Sequence, residues 1–598
     1  MGVGIGGGEC FQFVVRVVRG KWFMVFASLL IMTGAGTTYV YGMYSVVVKK
    51  SLGYDDNEIN LVTFLKDLGA YVAIFSGLIC EVIPVWLVLL IGSAMNFGGF
   101  FMVWCAVTHK IARPEPWQVG LYILIGNNAP NFTNTIAIVT CVKNFPESRG
   151  VVLGLMKGLV GLCAAIQTQL YKGIYENDLT GLIMVTTVLP AITSAGFMFT
   201  LRPIKAERQP NELRVFLNFF YITIVLALFL MVATLLEKYI VVTRIDHIIS
   251  AIVVAILLLL PLAVVIKEES ALWKIEKQQT DPATEVPGER PEASSANVSS
   301  TPQEEKPKGC SFFADIFNKP ERGENHSILQ AILSIDMLYI FLITTCGYGA
   351  GLTAYDHFGR LGIALAKKER LVSSLLSLIS IWNYYGRVYS GFLSELLLIK
   401  WKVPRAIMGM VMLILQGIGL LLAAFPEIPG AFYVSSVTIG FALGAQVPVN
   451  LAMISELFGL KYYCTLLNCA QLITPLALYL MNANLTKILY NKETVKDLIA
   501  QGKDPSSIKD PVCVGSHCFR LSFSILAVIS FVGALISLHF ARRTLKFYQG
   551  DIYKRFRDER LNRGDTFKRF NGETYMKFAE GEKPPETEMG QPSVNGQQ

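Results

Sequence analysis

Charged residues are scarce in this chain. Only 16% of its 598 residues are Asp, Glu, Lys or Arg, whereas roughly 25% is usual for a soluble protein. Hydrophobic residues make up 53% of the sequence, and the mean hydropathy is +0.46. This composition excludes a soluble enzyme and indicates an integral membrane protein.

Motifs typical of enzymes and pumps are also missing. The sequence contains no Gly-x-x-x-x-Gly-Lys-Ser/Thr loop for nucleotide phosphates, and its six histidines show no metal-ligand spacing. No His–acid or metal cluster falls at the predicted membrane depth. We therefore expect no catalytic residue, no metal, no cofactor and no nucleic-acid partner, and transport driven directly by nucleotide hydrolysis is disfavoured.

Long apolar runs dominate the chain. Spanning the hydrocarbon core takes about 20 mostly apolar residues, and about fourteen such runs occur, which predicts an all-α membrane protein. They lie near residues 22–45, 63–83, 85–108, 117–141, 149–171, 179–201, 213–237, 247–266, 328–349, 371–397, 405–425, 430–457, 463–489 and 519–541.

An internal repeat relates the two ends of the membrane part. Ser76, Gly77 and Glu81 recur as Ser390, Gly391 and Glu395, a shift of 314 residues. Weaker matches at nearly the same shift fall at equivalent places in the hydropathy order. Six spans therefore pair with six later ones, leaving two extra spans between them. Parallel six-helix halves are the architecture of major facilitator transporters.

Longer motifs support a family resemblance. The stretches KWFMVFASLLIMTGAGTTYVYGMYS, MNFGGF and CVKNFPESRGVVLGLMKGLVGL resemble the plant nodulin-like family of the major facilitator superfamily. NYYGRVYSGFLSE and the GSHCF segment are similar to oxalate/formate-antiporter-like members, and the combination resembles the nuclear-fusion-defective, nodulin-like proteins. The resemblance implies secondary transport with a charge-relay gate at Gly77, Glu81, Gly391 and Glu395. The first of these loops departs from the superfamily pattern, because ICEVIPVW has no basic residue.

The domain boundaries follow from these patterns. We predict a cytoplasmic N-terminus, a nodulin-like membrane domain, a disordered cytoplasmic linker rich in Pro, Ser and Glu, a second six-helix half and a basic cytoplasmic tail. These cover residues 1–21, 22–266, 267–327, 328–541 and 542–598. Basic residues beside the first, sixth and last spans predict that both termini lie in the cytoplasm. The protein is expected in the plasma membrane or an endomembrane. The basic tail is either a contact for anionic lipid or an ordinary solvated tail.

Two cations lie deep within predicted spans. Lys157 lies eight residues inside the fifth span, about 12 Å at 1.5 Å per residue, and Arg387 lies near the middle of the tenth. Cations at such depth are costly and mark transport routes. In the resembled fold these two helices pack together, so an organic anion between the cations would relieve their repulsion. Alternatively, Lys157 snorkels to the cytoplasm and Arg387 pairs with Glu395.

Other polar residues are candidates for contact with a small-molecule substrate or for coupling. Amides at equivalent points of both halves, and one tyrosine, are predicted to contact substrate: Asn127, Asn131, Gln446, Asn450 and Tyr348. Tyr39 and Asn383 are further candidates. Asp336, placed eight residues into the ninth span, is either a proton-coupling carboxyl group or a helix-start acid paired with a basic neighbour.

Cys513 and Cys518 lie in the polar segment before the last span, on the predicted exoplasmic side, where oxidation is permitted. We expect either a disulfide there or free thiols. The leading function is a secondary transporter for a small organic anion, with proton coupling as an option. The alternative is a membrane receptor or signalling scaffold on a transporter fold. The sequence does not fix the oligomeric state.

Overall fold

The computed structural model describes residues 7–176, 178–204, 211–280, 319–365, 367, 369–500 and 513–553. These residues form helices, turns and loops, and none of them lies in a β-strand. This confirms the all-α prediction. The middle of the predicted linker and the basic tail beyond Tyr553 lie outside the described residues.

The first half of the chain contributes eleven α-helices. They are α1 (Gly7–Arg19), α2 (Lys21–Gly34), α3 (Tyr41–Leu52), α4 (Asp56–Tyr71), α5 (Ile74–Val82), α6 (Val85–Val107), α7 (Pro116–Asn144), α8 (Arg149–Tyr175), α9 (Leu179–Gly196), α10 (Glu212–Tyr239) and α11 (Arg244–Thr280).

The second half contributes ten further α-helices among the described residues. They are α12 (Ile328–Ile332), α13 (Ile335–Thr344), α14 (Ala350–Ala364), α15 (Glu369–Trp401), α16 (Arg405–Ala424), α17 (Ala431–Phe458), α18 (Tyr463–Gln471), α19 (Ile473–Leu478), α20 (Lys487–Ala500) and α21 (His517–Gln549). A π-helical turn joins α13 to α14, and another joins α19 to α20.

Twelve helical segments of the described chain are long and apolar enough to cross a membrane. Two more helices, α7 and α15, have 29 and 33 residues but carry more polar side chains. Together they account for the fourteen predicted spans, and the protein is a multi-pass membrane protein. The terminus-bearing end of the bundle is defined here as the end where α2 begins and α21 ends.

Two predicted boundaries differ from the structure. The ninth span was placed at 328–349, but it runs over Ile335–Ala364, because the Ser334 side chain accepts a hydrogen bond from Met337 N–H and caps the helix there. The linker was predicted from residue 267, yet α11 continues as a helix to Thr280.

The second span is broken in its middle. Helix α4 ends at Tyr71 and α5 begins at Ile74, which frees backbone carbonyl groups at membrane depth. Such groups need partners from neighbouring helices. Asn128 and Asn131 of α7 supply them, since their side-chain amides donate to the carbonyl oxygens of residues 69, 70 and 72 at 2.9 to 3.2 Å.

Candidate functional site

Two helix seams join the halves of the membrane part. In the first seam, α5 packs against α18, and in the second, α8 packs against α15. These pairs correspond to each other under the internal repeat, which matches Gly77 of α5 with Gly391 of α15. The predicted gating glycines therefore both lie on seams between the halves.

The first seam is held by hydroxyl and amide groups. Asn468 donates to Ser76 Oγ at 3.1 Å and accepts from Thr135 Oγ1 at 3.0 Å. Glu81 accepts a long hydrogen bond, 3.4 Å, from the backbone N–H of Thr465. A Cβ atom at Gly77 would lie 2.8 Å from Thr465 Cα, so the two helices touch through their backbones at this point.

Glycines give the second seam the same close approach. A Cβ atom at Gly391 would lie 2.5 Å from the carbonyl oxygen of Gly150 and 2.7 Å from Gly154 Cα. Small residues at such spacing allow helices to pack backbone to backbone. The glycine stripe of α8 is therefore a packing surface for α15.

Arg387 lies on the second seam, in α15. Its Nη1 donates to the Lys157 carbonyl oxygen at 2.8 Å, and its Nη2 donates to Tyr39 Oη at 3.2 Å. Tyr348, in the π-helical turn, also faces the guanidinium group. Arg387 is 4% exposed, and its Nε has no hydrogen-bond partner. The charge is thus bound by neutral groups that leave it uncompensated.

Lys157 lies against Arg387 across the same seam, close enough for the two cations to interact electrostatically. Lys157 is 6% exposed. Within the described part of the chain, no acidic side chain lies at ion-pair distance from either cation. The structure therefore brings the two predicted cations together and gives them no counter-charge.

Tyr39 links this pair to the first half. Its hydroxyl contacts Arg387 of the other half, although Tyr39 as a whole is 49% exposed.

The extra helices α10 and α11 cover the second seam from outside. Phe220 of α10 packs on Phe392 of α15 with ring centroids 4.6 Å apart, and Ala251 of α11 lies against Gly173 of α8. The outer face of α11 is apolar and exposed, with Ile249, Ile252 and Ile256 among its residues. The two additional spans thus separate the buried cations from lipid on this side.

Glu395 binds Arg405 rather than Arg387. Arg405 Nη2 lies 2.7 Å from Glu395 Oε2, and Arg405 Nε lies 2.7 Å from Glu456 Oε1. These three residues, here called the ion cluster, are almost fully buried. Glu395 also accepts from the backbone N–H of Gly150 on the first half, at 2.7 Å. The alternative pairing of Arg387 with Glu395 is wrong for this structure, because Glu395 is already bound.

Asp336 lies at the terminus-bearing end of α13 and is held by two arginines. Arg322 Nε and Arg543 Nε lie 2.6 and 2.8 Å from its two oxygens. This placement favours the second of the two predicted roles, a helix-start acid paired with basic residues.

The predicted amide ligands mostly bind protein groups. Asn127 accepts from the hydroxyl groups of Thr37 and Thr38, and Asn131 caps the broken second span as described above. Gln446 donates to Gln416 Oε1 at 2.7 Å, and Asn450 donates to Thr344 Oγ1 at 3.1 Å. Of the predicted substrate contacts, Arg387, Lys157 and Tyr348 meet at one place, whereas these four amides hold helices together.

Cys513 and Cys518 form a disulfide, with their Cα atoms 6.0 Å apart, at the start of α21. His517 and Asp497 are hydrogen-bonded beside it at 2.8 Å.

Sequence reasoning missed Glu456. Glu456 lies at the end of an apolar run. The internal repeat did not indicate it, because the first half has no acidic residue at the equivalent position. An arginine at the start of the apolar run 405–425, Arg405, was the available clue that this half contained a buried ion pair.

Comparisons with known proteins agree on both halves. Residues 21–266 match the Nodulin-like family, and residues 324–550 match the NFD4 C-terminal domain. The Arabidopsis thaliana protein NUCLEAR FUSION DEFECTIVE 4 is 21% identical over 543 residues, which cover 88% of this chain and 89% of that protein. A solved structure of the proton:xylose symporter XylE, a major facilitator protein bound to 6-bromo-6-deoxy-D-glucose, is similar with a TM-score of 0.50 at 11% identity. That match covers 89% of this chain and 96% of the other.

Proposed function

Because the chain combines a Nodulin-like domain with an NFD4 C-terminal domain and has the major facilitator fold, we propose that it is a secondary transporter for a small organic anion. The two halves would rock about a site near the membrane midplane and expose it to each side in turn. The terminus-bearing end would face the cytoplasm, in the plasma membrane or an endomembrane.

The uncompensated pair of Arg387 and Lys157 carries the proposal. Like charges repel strongly in a low-dielectric interior, so these two buried cations destabilise the empty protein. A carboxylate between them would turn this repulsion into two attractions. Arg387 offers a planar fork that suits a carboxylate, and Lys157 offers a point charge.

The hydroxyl groups of Tyr39 and Tyr348 would complete the site. Both face the guanidinium group, and a hydroxyl can donate to a carboxylate or accept from a cation. Tyr39 belongs to the first half and Tyr348 to the second. An anion bound among these four residues would therefore touch both moving parts.

The distribution of contacts supports alternating access. Hydrogen bonds between the halves, such as Gly150–Glu395 and Ser76–Asn468, lie between the terminus-bearing end and the midplane. At the distal end, Asp356 of α14 lies close enough to Lys66 and Asp67 of α4 for their charges to interact across the halves. We assign this arrangement to a state closed toward the cytoplasm.

Coupling to protons would require a carboxyl group that changes partners between states. For Asp336 to serve, the rocking motion would have to withdraw it from Arg322 and Arg543. The basic tail would rest on the anionic inner leaflet, each basic residue contributing about 1 kcal/mol near the surface.

The test combines ligand screening with flux. Purified protein is screened by thermal shift against mono- and dicarboxylates, organic phosphates, amino acids and sugars, and hits are followed by uptake into proteoliposomes. We expect carboxylates to stabilise the protein and to accumulate. Arg387→Ala should remove both effects, whereas Arg244→Ala, which removes an exposed arginine of α11, should leave them intact.

Two outcomes would oppose the proposal. Stabilisation by neutral sugars or cations, unchanged in Arg387→Ala, would remove the case for an anion. Anion binding that depends on Arg387 but produces no uptake would instead favour a receptor on a transporter fold.

A further inference from the structure

The end of the last helix inserts two tyrosines into the ion cluster. Tyr548, in the final turn of α21, donates to Glu456 Oε2 at 2.9 Å. Tyr553, five residues further on, donates to Glu395 Oε1 at 3.1 Å and lies 3.4 Å from Glu456 Oε1. The chain therefore turns back from the helix end so that both hydroxyl groups reach the same two carboxylates.

Tyr553 also reaches the first half. The Arg149 guanidinium group of α8 lies 5.7 Å from the centre of its ring, and Arg149 Nη1 donates to the Ser455 carbonyl oxygen across the seam at 2.7 Å. The tyrosine thus lies where Arg149 of one half meets Glu395 and Glu456 of the other.

We infer that residues 548–553 are an intramolecular ligand of the second seam, and that their docking holds the terminus-bearing end of the transporter closed. The ion cluster has two carboxylates for one arginine. Tyr553 donates to Glu395 Oε1, which Arg405 does not contact, and Tyr548 adds a second donor to Glu456 Oε2, which Arg405 Nε contacts at 2.9 Å. Hydrogen bonds to charged groups are stronger than those between neutral groups.

The tyrosine remains a donor under ordinary conditions. Burial, together with the neighbouring carboxylates of Glu395 and Glu456, raises the pKa of Tyr553 well above its usual value. Opening of the seam would pull Arg149 away from the second half and remove one wall of the tyrosine's binding position. Residues 548–553 therefore cannot stay docked while the second seam is open. Withdrawal of this segment, by a modification or by a partner, would ease opening.

This inference rests on the proposed rocking of the two halves. Its test uses a reporter on the first seam, away from the contacts described for residues 548–553. Cys80 and Cys464 are thiols buried against each other where α5 meets α18, 8% and 1% exposed. An alkylating reagent reaches them only when the terminus-bearing end opens, so their alkylation rate reports the open population.

The experiment measures alkylation of the full-length protein in nanodiscs by N-ethylmaleimide, with peptide mass spectrometry to resolve each cysteine. In Tyr553→Phe, which removes one hydroxyl and keeps the ring, we expect Cys80 and Cys464 to react several-fold faster. In the double variant Tyr548→Phe, Tyr553→Phe we expect about tenfold, since two lost hydrogen bonds worth several-fold each multiply.

Two further variants make the result decisive. Tyr433→Phe, which removes the hydroxyl of an exposed tyrosine on α17, should react like the wild type. Glu395→Gln should open the seam and speed alkylation whatever the tail does. Unchanged rates in the tyrosine variants, with Glu395→Gln accelerated, would overturn the inference, and so would unchanged rates in all of them.

The two proposals fail separately. If Arg387-dependent anion uptake is found but the tyrosine variants alkylate normally, the tail is a static extension and only this inference is lost. If the tyrosine variants open the seam but no anion binds or accumulates, the inference stands and the substrate proposal is lost. Size-exclusion profiles and melting temperatures close to wild type exclude misfolding as a cause of fast alkylation.

Discussion

The two seams occupy equivalent positions in the internal repeat but are built from different chemistry. At the first seam, Ser76 and Asn468 join the halves through neutral groups, and Glu81 accepts from the backbone N–H of Thr465 while Lys143 acts on it from beyond ion-pair distance. At the second seam, Glu395 is bound by Arg405 and by the backbone of Gly150. Of the two matched glutamates, Glu395 has a basic side chain at ion-pair distance and Glu81 does not.

This asymmetry divides the work between the seams. Neutral hydrogen bonds and glycine contacts exchange partners cheaply during motion, whereas a buried ion cluster has one low-energy arrangement and resists partial separation. The second seam also carries the two uncompensated cations. Arg387 lies on α15 eight residues, or about two helical turns, before Glu395 of the ion cluster. We therefore assign ligand response and locking to the second seam, and easier separation to the first.

The largest expected effect comes from removing Arg405. In Arg405→Gln, the Glu395 and Glu456 carboxylates stay buried without their cation, which should lower the free energy of unfolding by about 3 to 5 kcal/mol. The matched change on the first seam, Glu81→Gln, should cost less than about 1 kcal/mol. Chemical denaturation in detergent micelles measures both, and equal losses would contradict the asymmetry.

Lys157→Met should change the free energy of unfolding in the opposite direction, by raising it. Methionine keeps much of the side-chain volume and removes both a buried ammonium group and its repulsion with Arg387, so the free energy of unfolding of the empty protein should rise. The same variant should show a smaller stabilisation by anions. Thermal shift with and without ligand checks both signs.

A loss of stability in Lys157→Met would show that the lysine is already compensated in the empty protein. Lys172→Met is a useful comparison, because Lys172, also in α8, is paired with Glu237 at 2.5 Å. Removing that partner of an ion pair should destabilise the protein.

Much of the architecture was accessible from the sequence. Membrane helices are specified by hydrophobic length, and backbone groups in lipid leave few alternatives to a helix. The repeat matched Gly77 with Gly391, and the resembled fold predicted which helices meet. The depth of Arg387 and Lys157 followed from their positions within apolar runs, and their proximity followed from the resembled fold.

The partners of the polar residues were harder to predict. Glu395 lies eight residues after Arg387 and ten before Arg405, so sequence distance did not separate the two pairings. The choice depends on how α15 and α16 pack. The break between Tyr71 and Ile74 contains neither proline nor glycine, so the sequence did not predict it. Without knowledge of this break, the sequence did not indicate that Asn131 would bind backbone carbonyl groups. Asp336 was misplaced because the Ser334 cap was not recognised.

The glycines of both seams allow a further comparison. Gly391→Ala places a Cβ atom 2.5 Å from the Gly150 carbonyl oxygen, and such overpacking typically costs 1 to 3 kcal/mol. Gly77→Ala should cost a similar amount, since its Cβ would meet Thr465 Cα at 2.8 Å. Both variants should also favour the open state in the alkylation assay.

The control for the glycine variants is Gly98→Ala. Gly98 lies within α6 and has no atom within 4 Å of its would-be Cβ, so alanine there should be neutral or stabilise the helix by roughly 0.5 to 1 kcal/mol. A destabilisation at Gly98 as large as that at Gly391 would mean that the seams are not the cause.

The smallest effect separates a structural amide from a ligand. In Asn131→Ala, the carbonyl oxygen of Ala70 loses its side-chain donor and that of Gly69 keeps only Asn128, which should lower the free energy of unfolding by about 1 to 2 kcal/mol at 0.5 to 1.5 kcal/mol per hydrogen bond. Asn450→Ala in the second half loses one side-chain hydrogen bond and should cost about half as much. Because both amides bind protein groups, neither variant should change the concentration of anion needed for half-maximal thermal stabilisation. A shift in that concentration for Asn131→Ala alone would return Asn131 to the binding site and would place part of the ligand against the first seam.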